Sequence, residues 1–330
     1  MTGRYSAYAA LLFAVSIWGV NFHIVKSALV AFPFFFYLAT RFWIATVAYF
    51  LVYLLQSKRR GQSGSVGVQY TTSRRFGGLS ILSAIIVATC LVFFYGLQTK
   101  AIAENAVNAA FLTATFIFWV PLFTRLLNPT SKVSHSVLVG IAVSLIGLAL
   151  NEEMTLSNFS LNDAIGLAGA IALAIEVTVL AEVAKGANSL VLMKWTATYT
   201  ALIAVAFTLA AAMAGTAPNT ADFTAGAIGA LCFTGILATA VANYLANWAN
   251  SVCTVDGTQV ITGVHRAIME NLDAPIALVM SLTLALQPED AKAHRIAGCI
   301  VITLGVLIAE LDLVGRLFSR FNSSSQSDGI

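Results

Sequence analysis

Charged residues are scarce in this chain of 330 residues. Asp, Glu, Lys and Arg together make up 10% of it, and hydrophobic residues make up 58%. A typical soluble domain has about 25% charged residues, so an ordinary water-soluble globular protein is excluded. The mean hydropathy of +0.84 indicates instead a protein that lies in a lipid bilayer.

Cysteine is rare as well. The four cysteines are scattered, and none forms a Cys-x-x-Cys pair or a pattern with histidine. Their spacing argues against both a disulfide framework and a metal site. The sequence also has no Walker A motif, no Gly-rich nucleotide loop and no His-Glu-x-x-His motif. We therefore predict no metal, no cofactor and no intramembrane enzyme.

Long apolar runs fill the chain. A helix needs about 20 apolar residues to cross a bilayer, and ten runs approach or exceed this length. We predict an all-α polytopic membrane protein. Its ten transmembrane helices cover residues 5–27, 33–55, 77–98, 104–126, 134–151, 161–184, 188–213, 224–247, 258–286 and 294–314. A basic, Gly- and Ser-rich loop occupies 56–76, and the polar tail 316–330 is predicted to be disordered.

The basic residues predict the orientation, because Lys and Arg concentrate on the cytoplasmic side of a membrane. Apart from Arg41 and Arg266, which lie deep within spans, twelve fall on one side and four on the other. The twelve are Arg4, Lys58, Arg59, Arg60, Arg74, Arg75, Arg125, Lys132, Lys185, Lys194, Arg316 and Arg320. We expect both termini in the cytoplasm and the protein in the cytoplasmic (inner) membrane. The pI near 8.7 then reflects topology, and no nucleic-acid partner is predicted.

The two halves of the sequence resemble each other. A twelve-residue pattern with two glycines seven apart occurs at 139–150 and again at 297–308. The glycines are Gly140, Gly147, Gly298 and Gly305. Residues 1–151 and 152–315 each hold five predicted helices, and an odd number of crossings inverts the second half. Such inverted repeats are typical of transporters whose substrate site lies near the middle of the bilayer.

Short motifs follow one another in a recognisable order and spacing along 5–314. They are Trp18-Gly19 with Asn21, Pro33 with Arg41, Tyr95 to Thr99, Ala109-Ala110-Phe111-Leu112, Pro121, the paired glycines and Glu289. In these motifs the chain resembles the drug/metabolite transporter superfamily, specifically its ten-helix EamA-type exporters. It departs from them at 127–131 (LNPTS) and at 273–275 (DAP), where that family often carries acidic residues and Glu-Pro. The resemblance implies a secondary transporter that exports small metabolites by alternating access, with amino acids, aromatic ones included, as the first expectation.

Charged residues at membrane depth are the main site candidates. A charge near the bilayer centre costs about 2.5–3.5 kcal/mol on insertion scales, so it normally faces a partner or a wet cavity. Arg266 and Glu270 in the ninth span are four apart and can pair on one helical face, which Asp273 extends. One interpretation is a structural ion pair that holds this helix. In the other, the stripe lines a cavity where Arg266 contacts a carboxylate or phosphate and an acidic residue takes up a proton.

Further polar and aromatic residues complete the predicted substrate site. Glu176 lies deep in the sixth span, either protonated or paired with Arg266, and Arg41 either snorkels outward or anchors an anionic group. A lining of Tyr and Trp suits an amphipathic substrate, although aromatic belts also occur at both membrane interfaces. The predicted site residues are Trp18, Asn21, Arg41, Tyr95, Gln98, Asn108, Trp119, Glu176, Tyr244, Asn247, His265, Arg266 and Glu270.

Several other functions stay open at this stage. The substrates of a carrier could instead be organic cations or drugs, nucleosides or sugar phosphates. A membrane scaffold without transport activity is a further alternative. A channel is disfavoured, because the sequence has no symmetric polar ring and no re-entrant Gly-rich filter. The predicted partners are a small-molecule substrate and the lipid bilayer, and ten helices can function as a monomer.

Overall fold

The computed structural model describes residues 2–62, 85–94, 96, 112–129, 133–152, 161–184, 188–215, 223–254, 259–283 and 292–311. These ranges are helical apart from turns, short connections and one isolated antiparallel bridge between Cys253 and Gln259. The helices are α1 (Thr2–Ala31), α2 (Phe34–Gln62), α3 (Ile85–Phe94), α4 (Phe116–Leu127), α5 (His135–Glu152), α6 (Leu161–Ala184), α7 (Ser189–Met213), α8 (Ala225–Phe233), α9 (Ala242–Ser251), α10 (Gly263–Glu270), α11 (Asp273–Thr283) and α12 (Ala293–Glu310). A π-helical segment, Thr234–Val241, joins α8 to α9.

Six helical stretches within the described ranges are long and apolar enough to cross a membrane. They are Arg4–Ala31, Phe34–Gln56, Ala164–Ala184, Ser189–Met213, Ala225–Ser251 and Ala293–Glu310. The prediction of an all-α membrane protein is confirmed at this level. The count of ten crossings and the inverted repeat stay predictions.

The ninth predicted span, 258–286, is not one continuous helix. Its helical part begins at Gly263, where the Thr262 hydroxyl accepts a hydrogen bond from the amide of His265 (3.4 Å). The helix stops at Glu270 and starts again at Asp273. Pro275 explains the interruption, because it has no N–H to donate to the carbonyl four residues earlier. Polar side chains of α10 are therefore carried to the point where the helix breaks.

Lys194 of α7 lies inside the packing between α2 and α7. Its residue is 6% exposed, and its ammonium nitrogen lies 4.1 Å from the ring centroid of Tyr53. The rings of Phe50 and Trp195 lie at 4.8 and 4.9 Å from the same nitrogen. Aromatic faces attract a cation electrostatically. Three rings therefore stabilise this charge where α2 meets α7.

Helices α5 and α12 pack against each other through glycine, as the small-residue rule for membrane helices predicts. A Cβ atom placed on Gly140 would lie 2.6 Å from the carbonyl oxygen of Gly305, and one on Gly147 would lie 2.7 Å from that of Gly298. The first glycine of each pair thus faces the second glycine of the other, so the helices run antiparallel. Each glycine of one sequence repeat therefore makes the same contact as its counterpart in the other repeat. A two-fold axis between α5 and α12 would produce this arrangement.

We expect Gly147→Ala to destabilise the protein by about 1–3 kcal/mol, because overpacking a tight contact forces backbone shifts. The added methyl would meet the backbone of α12 rather than a flexible side-chain end. The measurement is thermal unfolding in detergent micelles. Gly229→Ala in α8 is the matched control, since nothing lies within 4 Å of its added Cβ. An equal midpoint for both variants would show that the glycine contact does not hold the helices together.

Candidate functional site

A cavity with a volume of about 80 Å³ lies among the helices where the predicted charged residues meet. We call it the central cavity. Its lining consists of Trp18, Asn21, Phe22, Val25, Phe34, Tyr37, Arg41, Leu91, Phe94, Thr113, Phe116, Leu173, Glu176, Asn243, Arg266, Glu270 and Asp273. Five of these residues are Asp, Glu or Arg, and most of the others are apolar or aromatic. This mixture is typical of a ligand pocket, in which a few polar groups orient the ligand.

The predicted pairing of Arg266 with Glu270 is confirmed. The Arg266 Nε donates to the Glu270 Oε1 at 2.6 Å, and both residues are buried. The Arg266 Nη1 also donates to the Asn247 Oδ1 at 3.5 Å. Asp273 lines the same cavity, so the predicted stripe on this face of α10 and α11 is confirmed as well. The ion pair therefore forms part of the cavity wall. The two interpretations of the sequence, a structural ion pair and a stripe that lines a cavity, describe the same side chains.

Arg41 points into the protein and does not snorkel outward. It is 1% exposed, and its Nε donates to the Thr239 hydroxyl at 2.5 Å. Its Nη1 donates to the Tyr37 hydroxyl at 3.4 Å, one helical turn earlier. The outward interpretation is wrong because these two hydroxyls satisfy the guanidinium inside the bundle. Arg41 thereby connects the start of α2 to the π segment.

The π segment holds three side chains of the central cavity. In a π-helix the carbonyls lose their regular α-helical partners, and such segments often occur at functional sites. The Trp18 Nε1 donates to the carbonyl of Ala238 (2.9 Å), and the Asn243 Nδ2 donates to that of Thr239 (2.9 Å). Arg41 binds the Thr239 side chain, as described above. Outside the cavity, the Tyr49 hydroxyl lies 2.8 Å from the carbonyl of Ala240.

Two side chains of the central cavity have a buried acceptor atom without a donor. The Oδ1 atoms of Asn21 and Asp273 have no hydrogen-bond partner among the residues that the structure describes. A buried acceptor that stays unsatisfied is costly. These atoms are therefore the places where the cavity could receive a donor.

The structure separates the predicted site residues into groups. Trp18, Asn21, Arg41, Glu176, Arg266 and Glu270 line the central cavity. Asn247 lies behind the wall, where its amide donates to the Met193 Sδ (3.2 Å) and to the Asn243 carbonyl (2.8 Å). Trp119 and Tyr244 are not part of the cavity lining; they are half-buried and pack on hydrophobic clusters. Tyr95, Gln98 and Asn108 lie outside the described residues.

Sequence reasoning missed much of the apolar and aromatic lining. Tyr37 had a usable signal, because it lies one turn before Arg41 and shares its helical face. Phe34, Phe94 and Phe116 gave none, since aromatic residues are common throughout the chain. Only packing between distant helices distinguishes these rings from the many that face lipid.

His265 was predicted in the same site as Arg266 but lines a different cavity. This second space, the end cavity, has a volume of about 510 Å³. It lies at the first turns of α1, α5 and α10 and the last turns of α4, α6 and α12. Its lining includes Arg4, Tyr8, Thr124, Asn128, Val133, Ser134, Glu182, Gln259, Thr262, His265 and Glu310. His265 and Arg266 are neighbours on α10, but their side chains line different cavities, because successive residues of a helix turn by about 100°.

A layer of buried apolar side chains separates the two cavities along α1, α4 and α6. It consists of Leu11, Val15, Ile117, Val120 and Val177, each at most 1% exposed. We call it the apolar layer. On α1 it lies between Tyr8 of the end cavity and Trp18 of the central cavity, ten residues or about 15 Å apart. Polar solutes in one cavity are therefore cut off from the other in this conformation.

Comparison with known proteins identifies the fold but no family. No family model and no curated protein matches the chain. A solved structure described as "Crystal structure of protein" matches with a TM-score of 0.68 and 16% sequence identity, covering 95% of this chain and 99% of that one. At this identity the likeness is one of fold alone.

Removing one partner of the Arg266–Glu270 pair is expected to cost about 3–5 kcal/mol, because a buried charge is left uncompensated. We therefore expect Arg266→Met to lower the unfolding midpoint in detergent strongly. The double variant with Glu270→Met should lose much less than the sum of the two single variants. Additive losses in this double-mutant cycle would contradict the coupling of the two side chains.

Proposed function

We propose that the protein is a secondary transporter that moves small metabolites across the cytoplasmic membrane by alternating access, with amino acids as the first substrate class. One observation carries the proposal. Two polar cavities lie on opposite sides of the apolar layer, and the same four elements, α1, α4, α6 and α10, line both of them. A carrier needs such a pair of half-pathways, because its substrate must never meet both sides at once.

The sidedness of the two cavities follows from the positive-inside rule. Arg4 lies in the first turn of α1 and Arg125 in the last turn of α4, both at the level of the end cavity. Most other basic residues of the loops fall on the same predicted side. On this basis the end cavity faces the cytoplasm, and the central cavity faces the opposite side.

The chemistry of the central cavity favours an amphipathic, charged solute. Arg41 and Arg266 can attract a carboxylate, and Glu176 and Asp273 can attract an ammonium group. The rings of Trp18 and its aromatic neighbours provide apolar surface. An amino acid carries all three of these features. The present volume of about 80 Å³ suits a few waters, so the helices must move apart for a larger solute.

Two features of the backbone supply places where the helices can rearrange. The break between α10 and α11 and the π segment both border the central cavity. Discontinuous helices at the substrate site are common in transporters. The symmetric glycine contact between α5 and α12 supports the inverted repeat, in which two similar halves can exchange their arrangements. The sequence contains no nucleotide-binding motif, so we assign the driving force to a solute or proton gradient.

Counterflow in proteoliposomes tests the proposal. Vesicles loaded with one unlabelled amino acid should accumulate its labelled form in a saturable manner for some members of a panel. Glu270→Gln should abolish any dependence on a pH gradient, and Arg125→Gln, at an exposed position on α4, is the matched control. Linear, unsaturable flux would indicate a channel. If folded protein shows no flux with amino acids, organic cations, nucleosides or sugar phosphates, the transporter proposal is wrong and a scaffold is favoured.

Cysteine labelling tests the two half-pathways directly. Val133→Cys in the end cavity and Val25→Cys in the central cavity make the same chemical change on either side of the apolar layer. In a background without the four natural cysteines, a charged thiol reagent should reach the first from the cytoplasm and the second from the opposite side. Val177→Cys in the layer should react from neither. Labelling of both cavities from one side would contradict the assignment.

A further inference from the structure

The α1–α11 side of the central cavity has acceptor atoms that no donor satisfies. Asn21 of α1 and Asp273 of α11 both line the cavity, and the Oδ1 of each is without a hydrogen-bond partner among the described residues. Asn21 is 9% exposed. A buried amide and a buried carboxylate would normally each find a donor, because an unmade hydrogen bond there is costly. A donor other than the neighbouring side chains is therefore needed to satisfy these two oxygens.

Close helix packing brings α11 against α1 beside the central cavity. A Cβ atom on Gly19 would lie 2.9 Å from the carbonyl oxygen of Asp273 and 2.6 Å from the Ile276 Cγ2. The absence of a side chain at Gly19 therefore lets α1 approach the first turn of α11. Asn21, two residues later, is turned by about 200° from this contact. It shares with Asp273 the lining of the central cavity, whose volume is only about 80 Å³.

The charges of the cavity show which kind of ligand fits. Three carboxylates line it, those of Glu176, Glu270 and Asp273, against the two guanidinium groups of Arg41 and Arg266. The guanidinium groups already donate, Arg266 to Glu270 and Arg41 to Thr239. The cavity therefore has an excess of acceptors and, in the formal charge of its side chains, of negative charge. A further cation with N–H donors would complement both.

We propose that Asn21 and Asp273 form a subsite for a primary ammonium group of the substrate. The inference rests on the proposed transport function and narrows it to solutes that carry this group. A primary ammonium has three N–H donors, which can serve both oxygens. Trp18 and Phe22 on the same stretch of α1 also line the cavity and offer ring faces that attract a cation. A quaternary ammonium can use the rings but cannot satisfy the oxygens, so it should bind less well.

Binding to the purified full-length protein in detergent tests the subsite without any transport step. The probes are phenethylamine, its N-trimethylated form, L-phenylalanine and 3-phenylpropionate, which share a phenyl ring and differ in charge and donors. Calorimetric titration should rank phenethylamine and phenylalanine above the trimethylated amine, with 3-phenylpropionate weakest. Equal binding of 3-phenylpropionate and phenethylamine would overturn the proposal.

Two variants locate the subsite. Asp273→Asn should weaken phenethylamine binding at least about tenfold, because the acceptor of the ammonium group loses its negative charge. Asn21→Leu should weaken it independently, and each variant is first checked for a normal unfolding midpoint without ligand. Asp163→Asn is the matched control. It makes the same change in the first turn of α6, thirteen residues or about 20 Å along the helix from Glu176. Unchanged affinity in folded Asp273→Asn and Asn21→Leu would overturn the assignment.

Sodium and transport assays separate the remaining explanations. The unfolding midpoint is measured in NaCl and, for comparison, in choline chloride. If NaCl raised it for the wild type but not for Asp273→Asn, Asn21 and Asp273 would form a sodium site and the ammonium proposal would be wrong. Counterflow of solutes without an ammonium group would overturn the subsite and leave the transporter intact. Ammonium binding that Asp273→Asn abolishes, in a protein with no counterflow, would support the subsite and contradict the transport function.

Discussion

A hydrocarbon surrounding offers no water to polar groups, so a polar group buried there needs a partner from within the protein or from a ligand. The Arg266–Glu270 pair is the clearest example, with a charged hydrogen bond of 2.6 Å inside the bundle. Lys194 is satisfied differently, by three aromatic rings. The freed carbonyls of the π segment are satisfied by an indole and a phenol from α1 and α2. Polar contacts of this kind join helices that are far apart in the sequence, as α1 and α2 are from the π segment.

This constraint explains which features the sequence could predict. Apolar runs predict helices well because a helix satisfies its own backbone, and the spacing of Arg266 and Glu270 predicts a pair that needs no third element. Arg41 was ambiguous because its partner, Thr239, is 198 residues away. His265 was placed in the wrong cavity because position along a helix does not show which space a side chain faces. The π segment TGILATAV contains no residue type that distinguishes it from an α-helix.

The site and the irregular backbone belong together. A regular helix would leave no unsatisfied carbonyls for Trp18 and Tyr49 to bind and would give Arg41 and Asn243 different positions. At the other wall of the cavity, Pro275 interrupts the helix beside Asp273, so charged side chains lie where the backbone is least regular. The central cavity is therefore built at the two places where these long helices deviate from regular α-helical geometry.

The glycine contact between α5 and α12 has a consequence for how this protein can change over time. A clash between two side chains can be relieved by a second substitution that makes the partner smaller. Here the partner of each added methyl is mainly backbone, and the opposing residue at two of the contacts is already glycine. No smaller residue exists. A genetic screen for second-site suppressors of Gly147→Ala would therefore recover revertants at the same codon rather than compensating changes at Gly298.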